Sequence, residues 1–222
     1  MHASDPAPTP SSDAPRRGAG RPTREQAEAR LEELLDSALD HFLQHGFELA
    51  TIDMIATAVN MTKRTVYAKF EDKAGLFLAA VQRAVERQIV PESVLQALDQ
   101  GDLAETLKAI GRLRINQVMT PNGMRLQHII QAESYRFPQI FDANFRQSAK
   151  PVITFVSALL QRAMDAGTIS PTDPNMAASA FMSMVVGTQV RSIVGGHALS
   201  QKEIDERVAF SVNLLLDGLR PR

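Results

Sequence analysis

The sequence predicts an all-α protein. Its 222 residues are 44% hydrophobic and 22% charged, the balance of a folded globular chain with room for one or two modest domains. Apolar residues recur at intervals of three and four over most of the length, which places them on one face of a helix. Two capping-box patterns, Thr23 with Gln26 and Ser200 with Glu203, mark helix starts.

The composition and the motifs argue against an enzyme. The sequence has no cysteine, which excludes a disulfide framework, a thiolate metal site and a cysteine nucleophile. His41 and His45 stand four residues apart, but Phe42 follows His41 where a zinc hydrolase needs Glu. A serine-hydrolase elbow, a Walker loop and a dinucleotide fingerprint are also missing. We therefore predict no catalytic residue, no metal and no cofactor.

Residues 1–22 are predicted to form a disordered basic arm, because Pro, Ser, Ala and Gly dominate them. The arm contains Arg16, Arg17 and Arg21. It lacks the apolar run of a secretory leader, and the chain lacks an apolar stretch long enough to cross a bilayer. The sequence therefore predicts a cytoplasmic protein that does not interact with a membrane.

The first helix is predicted to begin after the N-cap Thr23. Its apolar residues, from Leu31 to Phe42, follow helical spacing, so one face of this helix faces a core. Gly46 is predicted to end the helix, because glycine readily adopts the positive φ that follows a last helical turn.

Two short helices are predicted next. Thr51 is a plausible N-cap of the first, and Asn60 interrupts it, since asparagine tolerates a left-handed turn. Thr62 caps the second, where Met61 and Val66 form a hydrophobic staple that fixes the entry angle of the chain. Two short helices joined by a tight turn form a helix-turn-helix unit, and we assign residues 23–73 to this domain.

The second short helix has the diameter that the major groove of DNA accepts, and its first turn would reach base edges. Charge supports this interpretation only locally, because residues 1–73 hold 9 basic and 12 acidic side chains, a net of −3. From spacing alone, a solvated surface on a helical pair that never touches DNA is an equal alternative. The candidate DNA-binding residues of the domain are Thr51, Thr62, Lys63, Arg64, Thr65, Tyr67, Lys69 and Lys73.

Residues 46–77, GFELATIDMIATAVNMTKRTVYAKFEDKAGLF, resemble the DNA-binding domain of TetR/AcrR-family bacterial transcriptional regulators. The shared pattern is Gly-Phe, a Thr-capped helix with Ile-Ala, a turn, and then Thr-Lys-x-Thr-apolar-Tyr-x-x-Phe-x-x-Lys. The sequence departs from many members at Asn60, Arg64 and Lys69, so its base preference cannot be taken from relatives. Arginine arms such as residues 16–22 resemble minor-groove inserts, although an ordinary flexible tail is an equal alternative.

Residues 74–222 are predicted to form a second helical domain. Pro151 is expected to kink or split the longest of its helices, because proline lacks a backbone N–H. After a helix that ends near Pro91, the predicted helices cover residues 102–119, 122–135, 138–166, 174–194 and 200–218.

The resemblance implies a homodimer that forms through the last two helices, 174–194 and 200–218. Small residues on the first of them would permit close approach of a partner helix. Internal packing of both helices is the alternative. The apolar residues assigned to this contact on the second helix are Ile204, Val208, Val212, Leu215 and Leu219.

The resemblance also implies that the middle helices enclose a pocket for an unidentified small-molecule effector, expected to be mostly apolar. Met and Phe at helical spacing are more often plain core, which is the alternative for several candidates. The candidate effector-pocket residues are Gln117, Met119, His128, Gln131, Phe141, Phe155, Phe181 and Met184.

Taken together, the sequence predicts an N-terminal helix-turn-helix DNA-binding domain followed by a helical effector-binding and dimerisation domain. The expected function is that of a repressor released from a double-stranded DNA operator by a small molecule. The alternative is a helical small-molecule-binding protein or enzyme whose helix-turn-helix is vestigial.

Overall fold

The computed structural model describes residues 23–197 and 199–221, and in these ranges it contains helices and no strand. The all-α prediction is confirmed. None of the helices in this part of the chain is long and apolar enough to cross a membrane. The helices are α1 Arg24–Leu49, α2 Ile52–Ala58, α3 Lys63–Tyr67, α4 Lys73–Glu86, α5 Glu92–Leu98, α6 Leu103–Met119, α7 Pro121–Glu133, α8 Pro138–Asn144, α9 Lys150–Asp165, α10 Pro174–Met182, α11 Thr188–Val194 and α12 Gln201–Gly218.

Local signals in the sequence set the ends of the first helices. Both bonds of the Thr23 capping box form at the start of α1. Gly46 has φ 71° and ψ 166°, so the regular helix is interrupted where the sequence predicts its end, and the helical run resumes to Leu49 beyond the kink. Asn60 adopts φ 51°, the left-handed conformation expected in the turn between α2 and α3.

The long helices predicted for the second domain are interrupted by single π-helical turns. One turn, Phe145–Ala149, separates α8 from α9, and the other, Ser183–Gly187, separates α10 from α11. Pro151 lies in the first turn of α9, where its missing N–H costs nothing. A π turn inserts one extra residue into a helix, and no apolar periodicity announces it. The short helix α5 was not predicted either.

Two hydrophobic cores form the interior. The first joins α1–α4 to α7 and α8, and it includes the fully buried Phe77 and Leu126. The second is built from α5, α6 and the helices from α9 onward, with Phe181 at its centre. The first core therefore extends across residue 73, where the sequence suggested a domain boundary. The N-terminal domain rests on α4, α7 and α8 as one packed unit.

Helices α6 and α7 meet through backbone contact at Gly123. A Cβ atom at this position would lie 2.2 Å from the carbonyl oxygen of Gln117 and 2.8 Å from that of Val118. Both neighbours are main-chain atoms near the end of α6, so neither can move aside without shifting the helix. Only glycine permits this approach.

We expect Gly123→Ala to lower the free energy of unfolding by about 1–3 kcal/mol, the usual cost of overpacking. Chemical denaturation at a fixed protein concentration measures the change. Gly218→Ala is the matched control, because a Cβ there meets no atom within 4 Å; its effect should stay within about 0.5 kcal/mol. Equal stability of the two variants would contradict the close contact.

Candidate nucleic-acid interface

Helices α2 and α3 are held by threonine caps and by buried aliphatic side chains. The Oγ1 of Thr51 accepts a hydrogen bond from the Met54 amide at 3.2 Å, and that of Thr62 accepts one from the Thr65 amide at 3.1 Å. Val66 is completely buried against the first core. Both predicted caps therefore form, and the inner face of α3 is anchored.

The turn between the two helices fixes their relative orientation. The amide of Met61 donates to the carbonyl oxygen of Ala56 at 2.8 Å. Met61 is half-buried and packs against the same core as Val66, as the predicted staple requires. Phe70, one turn after Val66, is also half-buried against this core.

The opposite face of α3 is open to solvent. Lys63 and Arg64 on α3 and Lys69, two residues after its end, are exposed cations, and Tyr67 has 47% of its surface accessible. In the described part of the chain none of these cations pairs with a carboxylate. A polyanion could therefore bind this face without breaking an internal ion pair.

The two threonines of α3 are coupled to each other. The hydroxyl oxygens of Thr62 and Thr65 lie 2.8 Å apart, a hydrogen bond in which either can donate. Both side chains are exposed, so this bond orients hydroxyl groups that also face solvent. Arg16, Arg17 and Arg21, the predicted arm contacts, lie outside the described residues.

Lys73, which is predicted to contact phosphate, bonds within the protomer. Its Nζ donates to the carbonyl oxygens of Glu48 and Ala50, at 3.0 and 3.1 Å, and lies 4.7 Å from the ring centre of Phe47. The ammonium group therefore joins the start of α4 to the end of α1. Because two of its three N–H donors form hydrogen bonds within the protein, we leave Lys73 out of the proposed set of DNA contacts.

Comparison with known proteins assigns the chain to a family. Residues 34–80 match the model of bacterial regulatory proteins of the tetR family. Residues 105–218, about half of the chain, match the model of the AefR-like transcriptional repressor C-terminal domain. The chain belongs to the TetR family.

Individual TetR-family relatives are distant in sequence. An HTH-type transcriptional regulator of Mycobacterium tuberculosis H37Rv is 30% identical over 143 residues, which cover 64% of this chain and 66% of that protein. A TetR-family regulator from Mesorhizobium loti superposes with a TM-score of 0.72 at 25% identity, covering 90% of this chain and all of the other. The flavonoid-responsive regulator FrrA gives 0.65 at 25% identity, with 88% and 99% covered.

Two of the predicted effector-pocket residues line cavities in the described part of the chain. Phe155 lines a cavity of about 480 Å³ between α5 and α9. Met184 lines a separate groove of about 580 Å³ beside α12. A third cleft, of about 780 Å³, is lined by none of the eight. Phe155 and Met184 therefore line different cavities, and the common effector pocket stays a prediction.

The remaining aromatic candidates differ in exposure. Phe181 is fully buried in the second core, and Phe141 is 56% exposed on α8. His128 and Gln131 are exposed on α7. Helical spacing identified the faces of these helices but did not show which face each neighbour covers, so it could not separate core from pocket.

Gln117 and Met119 lie near the end of α6. Gln117 accepts a hydrogen bond from the buried Arg114 at 2.7 Å, and Met119 packs against the second core. His41 and His45, excluded above as a zinc motif, have ring centres 6.0 Å apart. In the ranges that the structure describes, no cluster of three or more His, Asp or Glu side chains could hold a metal ion.

Helix α7 connects the DNA-binding domain to the rest of the TetR-family fold. Its Arg125 pairs with Asp40 of α1 at 3.1 Å. The carboxylate of Glu133 accepts a hydrogen bond from the Phe47 amide at 3.3 Å, across 86 positions of sequence. Sequence reasoning missed these contacts, because each residue alone looks like an ordinary surface charge.

A second connection runs between α1 and α4. Arg83 of α4 and Arg87, its C-cap, bind Glu32 and Asp36 of α1; the Arg83–Glu32 and Arg87–Asp36 distances are 2.8 and 2.6 Å. The hydrogen bond from Arg83 lowers the pKa of Glu32, and the hydrogen bond to Asp36 raises the pKa of Arg87. These ion pairs hold the long helix α1 against α4.

The outer face of α12 differs from the one that the sequence suggested. Ile204, Val208 and Val212 are buried within the protomer, in the second core. Phe210 and Leu214 are instead 70% and 54% exposed. They line the groove of about 580 Å³ next to α11. One helix thus has two apolar faces, and only the second is available to a partner.

We expect Lys73→Met to lower the free energy of unfolding by about 1–2 kcal/mol, because two charge-assisted hydrogen bonds are lost. It should leave the salt dependence of DNA binding unchanged. Lys69→Met, at an exposed and unpaired position, should keep stability and reduce the slope of log affinity against log salt by about 1. Denaturation and DNA titrations at several salt concentrations measure both. A reduced slope in Lys73→Met would restore Lys73 to the DNA contacts.

Proposed function

We propose that this TetR-family protein is a transcriptional repressor whose dimer binds operator DNA through α3 and releases it when a small-molecule effector binds. The observation that carries the proposal is the exposed surface of α3, where unpaired cations and hydroxyl groups surround a helix that the buried Val66 anchors. A surface of this kind suits the major groove, which admits one helix and offers acceptors at its base edges.

Each residue on this face has a chemistry suited to a part of the duplex. The guanidinium of Arg64 can donate two hydrogen bonds to one guanine, the commonest specific contact with DNA. Thr62, Thr65 and Lys63 share the first turn of α3 and can reach bases or phosphates. Tyr67 and Lys69 lie further along and suit phosphates. These roles, and those of Thr51 and the three arm arginines, are proposals.

Two copies of α3 are needed to read two half-sites separated by a turn of DNA or more. The exposed Phe210 and Leu214 supply a pairing surface, because large apolar side chains clustered on a surface mark interaction sites. We place the dimer contact on this face of α12 and on the neighbouring α10 and α11. The proposed dimer contact uses the two helical segments that the sequence predicts, 174–194 and 200–218. Its contact residues on α12 are those of the outer face.

Effector release requires that the effector bind one conformation more tightly than the other. Helix α7 provides a connection, since it contacts α1 through Arg125 and Glu133. A ligand that shifts α7 would alter the position of α3. That the similar FrrA is called flavonoid-responsive supports a small organic effector.

DNA binding is tested with the full chain and a labelled DNA fragment from the promoter next to its own gene. We expect affinity to fall steeply with salt, because phosphate contacts release counterions. Arg64→Ala should weaken binding about 10- to 100-fold and relax base preference. Lys63→Ala should weaken binding on all sequences and reduce the salt slope by about 1. Fluorescence anisotropy provides both quantities.

The matched control is Arg220→Ala, which removes the same charge at a 76% exposed position after α12. It should leave affinity and slope unchanged. Wild-type binding that is absent or independent of salt would contradict the repressor and favour a vestigial helix-turn-helix.

Dimer formation is tested with the double variant Phe210→Glu, Leu214→Glu. Two carboxylates in the proposed contact cannot be buried without a partner charge, so the variant should sediment as a monomer. Sedimentation velocity measures this, and operator affinity should fall in parallel. Tyr135→Glu, at a fully exposed aromatic residue between α7 and α8, is the control and should leave the dimer intact. A dimeric double variant would contradict the proposed face.

A further inference from the structure

Residues 46–50 form a corner at which the chain leaves the regular part of α1 and enters the helix-turn-helix. Gly46 has φ 71°, which interrupts the regular helix, and Ala50 has an extended backbone directly before the cap of α2. Side chains from other parts of the chain bond to this corner, namely those of Lys73, Glu133 and Arg136. The direction in which α2 and α3 leave α1 therefore depends on contacts made at the corner.

Arg136 makes two different contacts with the corner. Its guanidinium pairs with the carboxylate of Glu48 and lies 4.7 Å from the ring centre of Phe47. The same group lies 5.8 Å from the ring centre of Phe137, which meets the Phe47 ring edge-on at 4.8 Å. A guanidinium is planar and has donors at fixed positions, so it can bind a carboxylate and also interact with an aromatic ring. One side chain thus contacts a buried and an exposed residue of the corner.

The position of Arg136 is itself fixed by the end of α7. The amides of Arg136 and Phe137 both donate to the carbonyl oxygen of Glu133, at 3.1 and 2.8 Å, and Phe137 is buried in the first core. The carboxylate of Glu133 accepts the hydrogen bond from the Phe47 amide at 3.3 Å. Glu133 and Arg136 therefore act together, with a negative and a positive group bonded to Phe47 and to its neighbour Glu48.

Hydrophobic packing alone does not determine the angle of the helix-turn-helix. The inner sides of α2 and α3 are held by aliphatic residues such as Ile55 and Val66, and apolar burial has no preferred direction. Hydrogen bonds require defined distances and angles. The polar contacts of Glu133 and Arg136 are of this second kind, so they restrict the corner to fewer orientations than burial does.

We propose that Arg136, together with Glu133, is a positioning residue for DNA binding, which sets the orientation of α3 without contacting DNA itself. The inference rests on the proposed function, because it names the residues through which the end of α7 controls the DNA-binding helix. Without these contacts α2 and α3 would adopt more orientations, of which DNA binds only a fraction. The apparent affinity falls by that fraction, while the number of phosphate contacts stays the same.

The first test needs no DNA. Hydrogen exchange of the full chain, followed by mass spectrometry, compares wild type with Arg136→Met, which keeps an unbranched side chain and removes its charge. We expect the amides within residues 47–58 to exchange about three- to tenfold faster, because an exposed ion pair and a cation–π contact each shift a local opening equilibrium by a few-fold. Exchange within α9 should not change.

Two further variants control this experiment. Arg136→Lys keeps the charge and should exchange more slowly at the corner than Arg136→Met. Arg162→Met also removes an arginine from an ion pair, the one that α9 forms with Asp99, and should leave exchange at the corner unchanged. Each of four results would overturn the proposal: no change at the corner in Arg136→Met, a uniform increase over all helices, equal exchange in the Lys and Met variants, or the same effect in Arg162→Met.

The second test measures affinity for the labelled promoter DNA at several salt concentrations. Arg136→Met should weaken binding about three- to tenfold and leave the slope of log affinity against log salt unchanged, because no phosphate contact is lost. A slope reduced by about 1 would place Arg136 among the phosphate contacts and overturn the positioning role, as would unchanged affinity. If the wild type does not bind DNA, the proposed function fails, and the exchange experiment still decides whether Arg136 holds the corner.

Discussion

The structure depends on the burial of Phe47 where α1, α4, α7 and α8 meet. Its ring stacks on Phe42, with centres 5.8 Å apart, and meets Phe77 and Phe137 edge-on at 5.4 and 4.8 Å. The guanidinium of Arg136 and the ammonium group of Lys73 each lie 4.7 Å from the centre of the Phe47 ring. These contacts are attractive because an aromatic ring has a negative face and a positive edge. They join the DNA-binding domain to the rest of the chain.

The position of Phe47 follows from the residue before it. Gly46 takes a φ that a residue with a side chain rarely adopts, and the chain turns there so that Phe47 enters the core while Glu48 stays on the surface. The caps at Thr51 and Thr62 then place α2 and α3 beside this core. The orientation of α3 therefore depends on an aromatic cluster inside the first core.

The local parts of this structure were predictable from sequence, because local signals encode them. The caps of α1, α2, α3 and α12, the left-handed Asn60 and the staple at Met61 each depend on residues a few positions apart. The outer face of α12 was not predictable, since periodicity shows two apolar sides without showing which one a neighbouring helix covers. The same limit applies to Phe141 and Phe181, which share a residue type and differ completely in exposure.

Other features depend on distant pairs. Glu133 and Phe47 are separated by 86 positions, and Ser148 and Arg114 by 34. A buried arginine looks in sequence like one of many surface charges, because apolar neighbours that enclose it come from other helices. The hydrogen bonds from Lys73 to the backbone at the end of α1 were not predictable for a related reason. The family pattern marks the position of this lysine but does not distinguish a bond to DNA from a bond to the protein's own backbone.

The glycine contact between α6 and α7 has a geometric consequence. Gly123 holds the first turn of α7 against the backbone of α6, and Glu133 at the other end holds Phe47. Ten residues of helix separate the two points, an arm of about 15 Å. A tilt of α7 by about 5° around the glycine displaces the far end by about 1 Å over such an arm, enough to strain a hydrogen bond. A small tilt of α7 at the glycine would therefore produce a larger displacement at the base of α1.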